Sequence, residues 1–149
     1  LEVSFNHGCV MLVKKNLFKK VNYFDDNIFL YFEESDLFAK FIKKKLPIYM
    51  YNKVKISNPI SKSIDKEYQD KYIVVRNWHY CWSKFYYYKK HHGYFVGFFK
   101  TIPNLFRAIK NLIFCVFKLE FSKTKYFYAE LSGLFFSYLN FRSFYRIKD

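Results

Sequence analysis

Acidic residues are scarce in this chain. It has 12 Asp and Glu against 26 Lys and Arg, which leaves a net charge of +14. That excess calls for an anionic partner, either phospholipid or nucleic acid. Cysteine is scarcer still. Cys9, Cys81 and Cys115 are an odd number set far apart, which excludes a disulfide framework and fits a reducing cytoplasm. No C-x-x-C pair is present, so the usual structural zinc site is excluded. There is no uncharged apolar run of membrane-spanning length; "NLIFCVF" is too short to cross a bilayer. No signal peptide opens the sequence, and it has neither a Gly/Ser linker nor an internal repeat.

Rings are what it has most of. Fifteen Tyr and twenty Phe raise the aromatic share to 25%, so many rings must find cover in a core, a partner or a lipid interface. A hydrophobic share of 52% excludes a disordered chain. The positive charge is uneven. Leu1–Ser83 carries 14 basic and 9 acidic residues, whereas Lys84–Asp149 carries 12 basic and 3 acidic.

The local pattern predicts strands at "CVMLVKK" and "PIYMYNKVKI", the second with Ile48, Met50 and Asn52 on one face. "NLFKKV" predicts one or two helical turns capped by Asn16, and "NYFDDNIFLYF" an irregular aromatic loop. Leu37, Phe38, Phe41, Ile42 and Leu46 recur at helical spacing until Pro47. After the loop "SNPISKSIDK", a long helix is predicted over Lys66–His92, ended by Gly93. Shorter helices follow at Phe95–Lys100, Pro103–Leu119 and Ser122–Leu139, with Pro103 in a first turn. A boundary near Ser63 divides an α/β part, residues 1–63, from a helical, basic, aromatic tail, residues 64–149.

The stretch "NIFLYFEESDLFAKFIKKK" holds the chemistry-bearing residues. Glu33, Glu34 and Asp36 at a helix start and Lys43, Lys44 and Lys45 at its end complement the helix dipole, each by about 0.3–1 kcal/mol. The flanks add a second reading. From Gly8 the chain runs "GCVMLVKKNLFKKVNYFDDNIFLYFEESDL". The order of Gly8, Met11, Leu12, Lys14, Phe18, Val21, Phe24, Asp25, Phe29, Tyr31, Glu33, Asp36 and Leu37 resembles the acceptor-side half of family 2 glycosyltransferases, in their rhamnosyltransferase-like branch.

The resemblance implies an α/β fold, a fragment of the GT-A type. It also implies a nucleotide-sugar donor, a saccharide or lipid-linked acceptor, and inverting transfer in cell-surface polysaccharide synthesis. It places the catalytic base, which removes the acceptor hydroxyl proton, at Glu34. The family has Asp there, so the carboxylate is carried one methylene further. Glu33 and Asp36, three residues apart, are expected to orient Glu34 or hold other acceptor hydroxyls. Mutual repulsion among the three is expected to raise one pKa. Gly8, with His7 and Cys9 beside it, and Arg76 are candidate substrate-binding residues, Arg76 toward a diphosphate. Gly8 also reads as a simple turn glycine.

The family's His-x-Gly-Gly-x-Ser-like stretch is "VKISNPISKS" here. Ser57 and Asn58 replace the histidine, while Ser61 and Ser63 keep small polar character. With no Asp-x-Asp and no Gly-rich phosphate loop, the divalent metal (Mg or Mn) expected for the full-length enzyme has no ligands in this stretch. Roughly the first hundred or more residues, the nucleotide-binding half, are expected to precede Leu1.

"RNWHYCWSKFYYYKKHHG" has three readings. The first is a membrane-surface helix with Trp78, Trp82, Phe85 and Tyr86 at the lipid and Lys84, Lys89 and Lys90 on phosphates. The second is a core helix, and the third a nucleic-acid contact. The later pieces, bulky apolar residues broken by single Lys or Arg, follow a lipid-surface pattern. Expected partners are therefore donor, acceptor and an anionic membrane, at the cytoplasmic face of the inner (plasma) membrane. The alternative is a non-catalytic basic aromatic module on anionic membrane or single-stranded nucleic acid. No RNA-binding or helix-turn-helix signature favours nucleic acid.

Overall fold

The computed structural model describes residues 1–3, 10–51, 53–55 and 68–146. They form five helices: α1 (Lys15–Lys20), α2 (Glu33–Lys43), α3 (Gln69–His92), α4 (Tyr94–Phe117) and α5 (Phe121–Tyr138). The content is 66% helix and 2% strand, with no sheet among the described residues, which overturns the expected α/β, GT-A-type fold. Of the two predicted strands, "CVMLVKK" runs irregularly from Val10 into α1. In the described part of "PIYMYNKVKI" there is one antiparallel bridge, Glu2 with Tyr49, flanked by Val3 N–H to Ile48 C=O (2.9 Å) and Met50 N–H to Leu1 C=O (2.8 Å). The reason is pairing. A strand persists where neighbours take up its backbone groups and its apolar face, and a lone two-stranded ribbon is marginal. Asn52 and the expected boundary near Ser63 lie outside the described residues.

α3 is the hub. Along it, Gly97 of α4 meets Phe85 and Lys89, while Asn104 accepts from Lys84 Nζ at 2.6 Å, so α4 runs antiparallel to α3. On α5, Lys125 pairs with Asp70, Gly133 abuts Trp78, and Ser137 donates to the Trp82 carbonyl at 2.9 Å, so α5 runs parallel to α3. Gly93 alone joins α3 to α4, at φ 93°, ψ 162°, a conformation open to glycine. Trp78, Trp82 and Phe85 are at most 2% exposed, so the core reading of this helix holds and these rings are not at a lipid interface. They stack in sequence, Trp78 on Trp82 and Trp82 on Tyr86, four residues apart on one face. Trp82 Nε1 donates to the Phe141 carbonyl (3.0 Å), which satisfies its polar edge.

α4 is continuous through Pro103, where two pieces were expected. Proline removes one i→i−4 bond and costs about 3 kcal/mol in a helix interior. Packing of α4 on both α3 and α5 holds the helix across that defect. Next to it, buried Thr101 Oγ1 bonds back to the Gly97 carbonyl (2.8 Å) and pairs with the Tyr138 hydroxyl (2.9 Å).

The N-terminal part has its own small core of Val21, Leu37 and Phe41, with Met11, Leu17, Phe18, Leu46 and Ile48 against it. Asn16 is not a cap. It lies inside the first turn of α1, whose cap position is Lys14. α2 ends before Pro47 as expected, with Leu46 N–H returning to the Phe41 carbonyl (3.0 Å) and Lys45 in the left-handed region. The same closure ends α1 at Asn22, α4 at Leu119 and α5 at Asn140. With four glycines in the whole chain, non-glycine residues take these left-handed positions.

Candidate functional site

The aromatic loop before α2 straps itself along α3. Phe29 packs on His79, Ser83 Oγ donates to the Leu30 carbonyl (2.8 Å), Tyr31 meets Tyr80 edge-on, and Phe32 contacts Tyr80 and Tyr87. Tyr31 and Phe32 both have positive φ, 62° and 66°. Such strain costs of order 1–3 kcal/mol per residue and persists only where surroundings impose it. Here it turns the chain so that α2 starts at once with Glu33 and Glu34. Asp36 N–H then closes the first turn on the Phe32 carbonyl at 2.8 Å.

That turn divides the three carboxylates. Asp36 is fully buried. It forms ion pairs with Lys90 (2.6 Å) and Lys40 (2.9 Å) and lies 2.7 Å from His91 Nε2. Lys90 also pairs with Asp25 at 2.6 Å, and Asp25 accepts from the Tyr86 hydroxyl and from Asn27. Burial pushes the Asp36 pKa up, but the contacts from Lys90, Lys40 and His91 outweigh it and hold the group below its ordinary value. For Asp25, burial again pushes upward and Lys90 and Asn27 pull the carboxyl well below the usual range. Burial pushes the His91 ring below its ordinary pKa despite Asp36, so the neutral ring is favoured and its Nε2–H donates to the carboxylate.

Glu33 and Glu34 are half-buried and, among the described residues, neither is ion-paired. Glu33 Oε2 is buried without a hydrogen-bond partner. Burial, assisted by the charge of Glu34, raises the Glu33 pKa against the pull of its own backbone N–H. The expected repulsion therefore acts on Glu33. Tyr31, also raised by burial, feels the opposing charge of Arg76. Among the described residues Arg76 forms no ion pair, and its charge acts on Tyr31. Gly8, His7 and Cys9, like Ser57, Asn58, Ser61 and Ser63, lie outside the described residues.

Comparison of the chain with protein-family models, curated proteins and solved structures finds no match in any of the three. Among the described residues no three His, Cys, Asp or Glu side chains gather as a metal site. Asp25 and Asp36 share Lys90, which fills with an ammonium the position a cation would need. Among the described residues this donor set does not fit a divalent metal.

Sequence reasoning missed the partners of Asp36. Lys90 and His91 are more than fifty residues away, and no periodicity links them to α2. The run of Lys89, Lys90, His91 and His92 in the last turn of α3 is the one available signal, since cations at a helix C-terminus attract a carboxylate.

Proposed function

We infer that the chain supplies the acceptor side of an inverting glycosyltransferase, using a nucleotide-sugar donor and a saccharide or lipid-linked acceptor. One observation carries this beyond the resemblance: on a single helical turn, Asp36 takes Lys40, Lys90 and His91, while Glu33 and Glu34 take no cation among the described residues. In a chain this rich in lysine, helix-dipole stabilisation alone does not require that split. Asp36 is a positioning residue; it clamps α2 to the end of α3. Glu34 is the base. It accepts the acceptor hydroxyl proton as that oxygen bonds to the anomeric carbon, and the bond from carbon to the nucleoside diphosphate oxygen breaks with its electron pair on the leaving group. Glu33, raised in pKa by burial and near enough to Tyr31 for its charge to act there, holds a neighbouring acceptor hydroxyl. Arg76 takes up anionic charge on the same face.

The test is Glu34→Gln in the intact enzyme that includes the donor-binding half. Transfer is expected to be lost with donor affinity unchanged. Wild-type turnover in that variant overturns the assignment.

A further inference from the structure

α4 is inverted relative to a helix built for water on its outer side. Its buried face is Gly97, Thr101, Asn104, Ala108 and Cys115, all small or polar. Its outer face is Phe95, Phe99, Phe106, Ile109, Ile113 and Phe117, with exposures from 39% to 83%. At 3.6 residues per turn these six fall within roughly 80° of arc and extend about 33 Å along the axis. Lys100, Arg107, Lys110 and Lys118 line one flank of that stripe, and no Asp or Glu occurs from Tyr94 to Lys118. Arg107 leans on Glu130 (3.1 Å) yet stays about half exposed; the three lysines have no ion pair among the described residues.

We propose that the outer face of α4 seats the protein in the plane of an anionic bilayer, Phe and Ile among the upper acyl chains and the flanking cations at lipid phosphates. Small and polar residues inside with large apolar residues outside is the distribution that helices in contact with lipid adopt. No helix among the described residues is long and apolar enough to cross a membrane, so α4 lies along the surface. Charge decides between occupants. An anionic surface complements the cationic flank, whereas a second copy brings the same row of cations and a net charge of +14 against it. The site is distinct from the acidic turn, and its test does not depend on sugar transfer.

The experiment is vesicle flotation of the chain with phosphatidylglycerol-containing and pure phosphatidylcholine vesicles across a salt series. Binding is expected to require the anionic lipid and to weaken with salt. Phe99→Asp with Phe106→Asp removes two aromatic insertions and is expected to weaken partition thirtyfold or more, since one lost insertion alone is worth about that factor. Lys100→Gln and Lys110→Gln are expected to weaken it about fivefold each. All four positions are exposed, and helix content by circular dichroism checks that the fold survives. A Phe106→Trp reporter adds a direct readout. Its emission is expected to shift blue and to be quenched by lipids brominated near the headgroup, while Trp78 and Trp82, at most 2% exposed, stay unquenched. Three outcomes overturn the proposal: equal flotation of the Phe99→Asp/Phe106→Asp chain, a concentration-dependent dimer abolished by Phe106→Asp, or retention on a single-stranded oligonucleotide that requires the same phenylalanines.

Discussion

Replacing Asp36 by Asn tests how the acidic turn is held. Breaking a buried ion pair by removing one partner costs about 3–5 kcal/mol, because the remaining charge is stranded. Here two of the three partners keep other contacts. Lys90 retains Asp25 at 2.6 Å, and Lys40 retains the Tyr23 carbonyl at 3.0 Å and has some solvent access. The amide oxygen can still accept from His91. The low end of the range therefore applies, about 3 kcal/mol. For a chain of this length each kcal/mol moves the melting temperature by about 2–4 °C, so Asp36→Asn is expected to melt about 6–12 °C lower. The assay is thermal unfolding followed at 222 nm, with Lys90→Met and the double variant completing a cycle. The double variant is expected to lose less than the sum of the singles. A change under about 0.5 kcal/mol in Asp36→Asn, or strict additivity, refutes the clamp.

Two carboxylates and two histidines shift stability with pH in the same direction. Asp25 and Asp36 have folded pKa values below their ordinary 3.8, so their stabilisation is present above about pH 4 and is lost as pH falls through the lower folded values. His79 and His91 are pushed by burial below their ordinary 6.5. The unfolded chain then binds protons first, so stability also declines as pH falls through 6.5. Both effects have one sign. Asp36→Asn is expected to flatten the more acidic limb and, because the Asp36 charge holds the His91 pKa up against burial, to steepen the limb below 6.5.

Gly133→Ala is expected to destabilise by about 1–3 kcal/mol in urea titration, outweighing the better helix propensity of alanine. The added Cβ would lie 2.4 Å from the Trp78 carbonyl oxygen, a backbone atom that cannot step aside. Leu119→Gly is expected to stabilise by about 1 kcal/mol, seen as a higher urea midpoint. Leu119 sits at φ 57° and is 73% exposed, so strain is relieved with little packing lost. Burial pushes the Cys81 thiol up to about 12, so peptide mapping after maleimide treatment at pH 8 is expected to find Cys81 unlabelled until denaturant is added.

Helices whose signals are local were legible in the sequence. Gly93 and Pro47 punctuate strongly, and the apolar spacing around Leu37 and Phe41 names the buried side of α2. What failed needed knowledge of the partner surface. The stretches around Val10 and Ile48 have strand-like composition, but a strand is defined by its neighbours, and one bridge is all that forms among the described residues. Pro103 reads as a start because the packing that holds α4 through it comes from α3 and α5. At the site, the acidic turn was legible and its division was not. Which carboxylate is buried depends on Lys90 and His91, placed by the far end of another helix.

The layering of the fold connects the two proposed surfaces. On α3, His79, Ser83, Tyr87 and Lys90 receive the aromatic loop and α2, whereas Trp78 and Phe85 receive α4 and α5. At 100° per residue these sets lie on opposite sides of the helix. The acidic turn and α4 are therefore separated by the thickness of α3. With helix diameters of about 10 Å, a bilayer surface against the outer face of α4 leaves Glu33 and Glu34 roughly 20 Å above it. On the two proposals together, an acceptor hydroxyl at the level of a lipid headgroup would lie too low for Glu34, so the expectation is a saccharide extended from its lipid anchor; transfer to a bare headgroup lipid in preference to a lipid-linked saccharide would refute the combination.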